Sequence, residues 1–292
     1  MNTLTKNLIL FPFNWLYKIS PALELKLMFR LKQGYSLDLK NPQTYNQKLQ
    51  WIKLYDRNEL MPLCCDKYTV RDYAKNMGCE SILNELYWHG ENPDDIPYDV
   101  LPDQFVIKVT HGSTFNIIVK DKSKLDRQET ANKLRKWLKA EFIACYGEWF
   151  YGKIKPRIVI EKYLEDSNSQ ELRDYKIFCF NGKAKFVDVH SGRFGEHKRN
   201  VYDLEWNFLD DVYLKYDHDE LIPRPAVLNE LLQYAEKLSK PFLHARVDFF
   251  IVNDRIYFGE ITFTNGAGFD RIKPYSFDEE MGRLLKIPSL GI

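Results

Sequence analysis

The sequence predicts an α+β fold. Three observations carry that expectation: a first third patterned for helices, a middle stretch of short apolar runs broken by small polar loops, and two antiparallel hairpins with an amphipathic helix between them.

In the first third, Thr44-Tyr45-Asn46-Gln47 reads as a capping box, and Leu49 and Ile52 follow at helical spacing. Asp66 is placed to cap a helix over 67–77 that stops at Gly78. Residues 92–103, rich in Pro and Asp, predict a linker. Residues 105–110 predict a buried strand, 111–116 a short polar loop and 117–119 a second strand. Residues 127–145 predict an amphipathic helix with Leu134, Leu138 and Phe142 on one stripe, and 157–164 another strand. The first hairpin joins 175–180 to 183–189 through Asn181-Gly182, the strongest two-residue turn signal. A helix is predicted over 226–238. The second hairpin joins 245–252 to 256–263 through Asn253-Asp254-Arg255.

The 292 residues give room for one large domain or two modest ones. Forty-two basic residues against 41 acidic ones leave a charge of +1, which argues against a general nucleic-acid binder. An aromatic content of 15% excludes disorder as the main state. Five cysteines (Cys64, Cys65, Cys79, Cys145 and Cys179) with no C-x-x-C argue against a disulfide framework and for a reducing, cytoplasmic setting. The apolar segment 8–17, broken by Pro12, falls short of the ~20 residues that span a bilayer, so no transmembrane segment is expected. It reads as a segment docked on the domain. Phe11, Phe13, Trp15 and Tyr17 leave a peripheral membrane or partner contact open.

The second hairpin is the most informative stretch. Alternation puts Val247, Phe249 and Ile251 on one side with Tyr257, Ile261 and Phe263, and Arg246, Asp248, Glu260 and Thr262 on the other. A three-residue loop pairing Val252 with Ile256 keeps the apolar set together. It sets Asp248 opposite Glu260 and Arg246 opposite Thr262. Opposed carboxylates lie ~4.5–5.5 Å apart at Cβ and repel unless a cation lies between them. That cation is either a hard ion such as Mg²⁺, which takes oxygen ligands, or Arg246 itself. Upstream, Lys108 precedes His111-Gly112-Ser113-Thr114. Small residues let backbone N–H groups approach a phosphate and a lysine supplies a point charge, although a plain hairpin turn reads the same way. A lysine on an inward sheet face needs an acidic partner, and Asp174 and Lys176 share a face on the first hairpin.

Taken in order, KNPQTYNQKLQWIKLYDRN, CDKYTVRDYAK, LPDQFVIKVTHGS, NIIVKDKS, PRIVIEKYLED, RDYKIFCFNGK, HARVDFF and IYFGEITFTNGAGF resemble the TupA-like ATP-grasp family of surface-polysaccharide gene clusters, over roughly residues 35–290. The resemblance implies an ATP-grasp fold, two α+β subdomains clasping ATP beside a helical N-terminal region. The divisions are 1–95 (helical), 96–165 (small subdomain with the phosphate loop) and 166–292 (large subdomain with the metal-binding hairpin). It implies ATP and Mg²⁺ as cofactors. Lys108, Gly112 and Ser113 would meet phosphate. Glu161, Tyr163 and Leu164 would meet adenine, with Glu165 or Asp166 on the ribose. Asp174 and Lys176 would face the phosphates, and Asp248 and Glu260 would hold metal, completed by either Thr262 or Asn265.

The implied activity is an ADP-forming carboxylate–amine ligase. It would activate a uronic acid of a capsular or cell-surface polysaccharide, or its precursor, as an acyl phosphate and pass it to an amine or amino acid. Lys108, Lys176, Arg246 and one or two Mg²⁺ at Asp248 and Glu260 would clamp the transferred phosphoryl, with Lys176 and Arg246 as catalytic residues. Arg193, in the glycine-bearing segment 191–199 read as a mobile loop, would fork onto a carboxylate or sugar diphosphate. Trp51, Tyr68 and Arg71 are further candidates for holding the sugar, while Trp88 and His89 read as packing residues. Three rival functions remain: a glycosyltransferase using Asp217-His218-Asp219 as a metal-binding D-x-D, a phosphotransferase acting on a hydroxyl, and an inactive binding module.

Overall fold

A computed structural model describes residues 3–166, 172–192 and 195–289. Five helices come first: α1 (Thr3–Ile19), α2 (Pro21–Gln33), α3 (Tyr45–Tyr55), α4 (Leu60–Cys65) and α5 (Val70–Asn76). The capping box on α3 is formed from both sides. Thr44 Oγ1 accepts the Gln47 N–H, and the Gln47 side chain accepts the Thr44 N–H. Asp66 does not start a helix at 67. It closes α4, and its carboxylate accepts the N–H groups of Tyr68 and Thr69, so α5 begins only at Val70. Gly78, at φ +70, follows its end.

The first sheet contains β1 (Leu86–Gly90), β2 (Phe105–Val109), β3 (Asn116–Val119) and β4 (Ile158–Lys162), in the order β1-β4-β2-β3 and antiparallel throughout. β1 lies in the third that reads as helical. Its Leu-Tyr-Trp run favours a pleated, half-buried surface, and pairing with β4 supplies one. The stretch 92–103 does more than link, because Ile96, Tyr98 and Leu101 enter the core beneath this sheet. Helix α6 (Arg127–Leu138) adds Leu134 to that core. It ends short of 145 because the following residues are claimed elsewhere. The Cys145 N–H donates to Asn14 of α1 at 2.9 Å, and Cys145 packs among Leu25, Met28 and Phe29 of α2.

The second sheet is larger. It is built from β5 (Asp174–Phe180), β6 (Lys183–Ser191), β7 (Lys198–Tyr202), β9 (His244–Val252) and β10 (Arg255–Thr262), ordered β10-β9-β5-β6-β7 and antiparallel. A ribbon of β8 (Tyr213–Leu214) and β11 (Ile272–Lys273) lies beside it, with α7 (Leu228–Ser239) and α8 (Tyr275–Leu284). The segment read as a mobile loop is partly strand: β6 runs to Ser191 and β7 resumes at Lys198. Helix α7 packs on β5, β6 and β9 through Leu228, Leu231, Ala235 and Leu238. On the other face, Phe178, Phe180, Phe186 and His244 pack under Tyr45 of α3 and Phe277 of α8, which covers one end of that face.

The β9–β10 turn corrects the predicted loop. It holds two residues, Asn253 and Asp254, both at positive φ (49° and 59°), and Arg255 pairs with Val252. That register alone would put Asp248 and Glu260 on opposite faces. A β-bulge between Phe258 and Glu260 shifts the pairing back, so Asp248 faces Glu260 and Arg246 faces Thr262 after all. The bulge also exchanges two neighbours. Phe258 pairs with Phe249 and is buried, while Tyr257 pairs with Phe250 on the polar side. Gly259 sits in the bulge, where an added Cβ would lie 2.9 Å from the Asp248 carbonyl oxygen. Gly259→Ala is therefore expected to lower stability by about 1–3 kcal/mol, read from the denaturant midpoint, by forcing the strand that carries Asp248 to shift.

Candidate active site

Alternation and register bring a row of charges onto one face of the second sheet. Lys176 on β5 pairs with Asp248 on β9 and with Asp188 on β6; Asp248 pairs onward with Glu260, and Asp174 pairs with His190. The side chains interlock along this row. Arg246 Nε and Nη2 fork onto the two Asp248 oxygens at 2.7 Å each, and Lys176 Nζ donates to Asp248 Oδ2. Arg246 also donates to Thr262 Oγ1 at 3.1 Å and lies 3.6 Å from Glu260. Lys176 lies 3.6 Å from Asp174. Farther along, Arg199 of β7 forks onto Asp188, which also meets His190 Nε2 at 2.9 Å.

Asp248 and Asp188 are buried. Desolvation alone would raise both carboxyls, but the flanking cations outweigh it and hold both below the usual carboxylate range. Burial drives His190 down to about 3, against the pull of Asp188, so it is neutral at pH 7. His244 is likewise driven to about 3 by burial; its ring bonds the Tyr45 hydroxyl and the Phe263 carbonyl.

On the first sheet, Lys108 Nζ donates to Glu161 Oε2 at 2.7 Å, and Arg71 Nη1 reaches Glu161 Oε1 at 3.3 Å. The acidic partner that Lys108 needs is thus Glu161, its diagonal neighbour across the β2–β4 pair. Gly112 and Ser113 lie in the turn after β2. Lys67 donates to the Gly112 carbonyl at 2.9 Å, and Ser113 is exposed. Tyr163 and Leu164 follow β4, half-buried, and Glu165 and Asp166 end that described stretch.

The turn after β10 is held from below by α3. Gly266, Ala267 and Gly268 all have positive φ (53°, 54° and 69°). Gln50 donates to the Gly268 carbonyl at 2.8 Å, and the buried Lys53 donates to the Ala267 carbonyl at 2.7 Å. Asn265, at the head of this turn, has both side-chain polar atoms buried without a hydrogen-bond partner. It lines a chamber of about 50 Å³ with Arg246 and Arg199. That chamber shares Asp270 and Arg271 with an open basin of about 680 Å³, lined also by Lys32, Tyr213, Lys215 and Lys273.

The expected residues thus fall into two groups. Asp174, Lys176, Arg246, Asp248, Glu260 and Thr262 meet on the second sheet, with Asn265 at its edge; Lys108 and Glu161 meet on the first. Arg193 lies outside the described residues. Trp51 is a core residue, not a sugar platform, and the Tyr68 ring meets His89 in a tilted contact at 4.2 Å. Asp219 of the D-x-D accepts from Ser191 Oγ, whereas Asp217 lines the basin. Asp188, His190 and Arg199 were not anticipated. The alternation Phe186-Asp188-His190 was the available signal, and an Arg on the next strand was needed to complete it.

Mg²⁺ takes oxygen ligands and commonly uses one or two carboxylates plus phosphate oxygens. Asp248 and Glu260 suit that chemistry, and Glu260 leaves 46% of its side chain exposed. Thr262 already serves Arg246, while the Asn265 amide oxygen has no partner and is the freer donor of the two. Among the described residues, no cluster of three or more His, Cys, Asp or Glu side chains forms a metal cage of its own.

The profile of the TupA-like ATP-grasp family matches residues 47–286. This chain belongs to that family. No curated protein sequence matches the chain. Among solved structures, the ATP-grasp chain is similar to D-alanine–D-alanine ligase from Bacillus anthracis complexed with ATP (18% identity, TM-score 0.42), covering 69% of this chain and 55% of that one. It is similar to L-amino acid ligase from Bacillus licheniformis (15%, TM-score 0.46; 85% of this chain, 56% of that one). A third similar structure is N5-carboxyaminoimidazole synthetase from Staphylococcus aureus complexed with ADP (15%, TM-score 0.41; 78% and 53%). The ATP-grasp chain therefore spans a little over half the length of these three proteins.

Removing one member of a buried ion pair leaves the other uncompensated. Asp188→Asn is expected to cost about 3–5 kcal/mol in chemical denaturation, with Arg199 left buried beside an amide. His244 binds a proton readily only when unfolded, so it destabilises the fold progressively as pH falls from about 6.5 toward 3, by about 1.4 kcal/mol per pH unit. His244→Gln should flatten the pH dependence of Tm between 6.5 and 4.5 by that one proton.

Proposed function

We propose that this ATP-grasp protein joins a sugar carboxylate to an amine, releasing ADP and phosphate. The observation that carries the reading is that Arg199 and Arg246 of the charged sheet face line the Asn265 chamber, which shares Asp270 and Arg271 with the basin. A nucleotide lying between the first sheet (β2, β3 and β4 within 96–165, with β1 before them) and the polar face of the second (within 166–292) would have Lys108 and Lys176 for its phosphates. Asp248, Glu260 and Asn265 would hold Mg²⁺, which when bound neutralises phosphate charge and favours attack on the γ-phosphorus. Glu161 and the residues after β4 would take the base.

The chemistry runs in two displacements. A carboxylate oxygen attacks the γ-phosphorus, the bond to the bridging oxygen breaks and ADP leaves. The amine nitrogen then attacks the acyl carbon, the C–O bond to phosphate breaks, and the nitrogen gives its proton to the departing phosphate. Arg246 borders both the acids and the chamber; in this reading its guanidinium would orient the carboxylate and meet the oxyanion of the second step. The resemblance to surface-polysaccharide enzymes makes a uronic acid the proposed acceptor and an amine or amino acid its partner. Five free, buried cysteines support a reducing, cytoplasmic setting.

A panel of uronic acids and their nucleotide derivatives, screened for ADP release against amines, tests the reading. With hydroxylamine as the amine, a hydroxamate is expected, and Glu260→Gln should lower turnover by about 100-fold or more. ADP release without hydroxamate would assign a phosphotransferase. Asp217→Asn with Asp219→Asn should leave nucleotide turnover intact; abolished activity in that variant would assign the glycosyltransferase.

A further inference from the structure

Of the fourteen large apolar side chains exposed among the described residues, six fall on the first two helices. Phe11, Trp15 and Ile19 follow at four-residue intervals along α1, exposed by 70, 61 and 61%. Leu23, Leu27 and Leu31 do the same along α2, at 55, 45 and 64%. Residues four apart share a helix face, so each helix presents a stripe. The opposite face of α2 is used: Leu25, Met28 and Phe29 are buried against Leu37, Leu39 and Phe269. Scattered exposed apolar residues need no explanation, but a row of three on one face of each of two successive helices marks a contact surface.

Charge decides what the surface meets. Lys18, Lys26, Arg30 and Lys32 are exposed on the same two helices. Lys26 and Arg30 lie one helical turn from Leu23 and Leu27 and flank the stripe. Between residues 10 and 37 the single acid is Glu24, which is fully buried on the inner face and adds no charge outside. Burial also pushes its carboxyl up to about 8, against the pull of Lys53. Apolar side chains flanked by lysine and arginine, with no exposed acid among them, match an anionic bilayer surface: the side chains enter the acyl boundary and the cations meet headgroup phosphates. No helix among the described residues is long and apolar enough to cross a membrane, so this contact lies on the surface.

We propose that α1 and α2 dock the protein on an anionic lipid bilayer. The same α2 contributes Lys32 to the wall of the basin, so docking would bring that cavity's rim toward the lipid. The inference does not depend on the ligase reading.

Co-sedimentation of the full chain with vesicles tests it. The protein should pellet with phosphatidylcholine vesicles containing phosphatidylglycerol and much less with pure phosphatidylcholine. Leu23→Glu with Leu27→Glu should reduce binding at least tenfold while the far-UV spectrum and Tm stay unchanged. Lys26→Glu with Arg30→Glu should abolish the preference for anionic vesicles. Failure to pellet with either vesicle, or pelleting indifferent to the leucine substitutions, overturns the proposal. So does a dimer that the leucine substitutions dissociate in the absence of vesicle binding, which would assign the stripe to a second copy.

Discussion

The fork of Arg246 on Asp248, with Lys176 closing from the neighbouring strand, is the contact on which the candidate site depends. Asp248 lies in the middle strands of a five-stranded sheet, where an unpaired carboxylate would be costly or would simply take up a proton. Two cations keep it ionised at that depth. The same device recurs two strands away, where Arg199 keeps Asp188 ionised. Among the described residues of this face, four carboxylates (Asp174, Asp188, Asp248, Glu260) meet three permanent cations (Lys176, Arg199, Arg246), with His190 neutral. Glu260, on the edge strand, is the most exposed of these acids.

Much of this face was legible because strands obey a period of two. The opposition of Asp248 to Glu260 followed from keeping the apolar residues together, although the loop invoked for it was wrong. The real turn has two residues, and the bulge at Gly259 supplies the missing shift. Burial fixes which side chains share a face; it does not fix where along the strand the correction is made. An isolated glycine within a strand pattern was the local signal for that position. The Lys108–Glu161 pair was less accessible. Both residues were singled out, but for opposite ends of the nucleotide, and their contact depends on β4 inserting between β1 and β2. Nothing local to either residue encodes that strand order. The shortened α6 has a similar cause, since α1 and α2 engage residues 143–146 that would otherwise have extended the amphipathic pattern.

The helical region is tied to the site through the turn after β10. A non-glycine residue in the left-handed region, as Ala267 is, costs on the order of 1–2 kcal/mol and persists only when its surroundings hold it. Gln50 and Lys53 of α3 provide that hold through the Ala267 and Gly268 carbonyls, while Asn46 of α3 and Gln33 of α2 both donate to the Asp270 carbonyl just beyond. Lys53 is buried, and burial lowers its pKa against the pull of Glu148 and Glu24. A buried lysine that spends its protons on two main-chain carbonyls, those of Ala267 and Tyr146, contributes little as a free charge and much as a fixed strut. The turn is thus held by residues more than 200 positions earlier in the chain, which explains how Asn265 keeps its amide beside Arg246 without any bond of its own. Helices that look peripheral in the sequence therefore set the shape of the chamber wall.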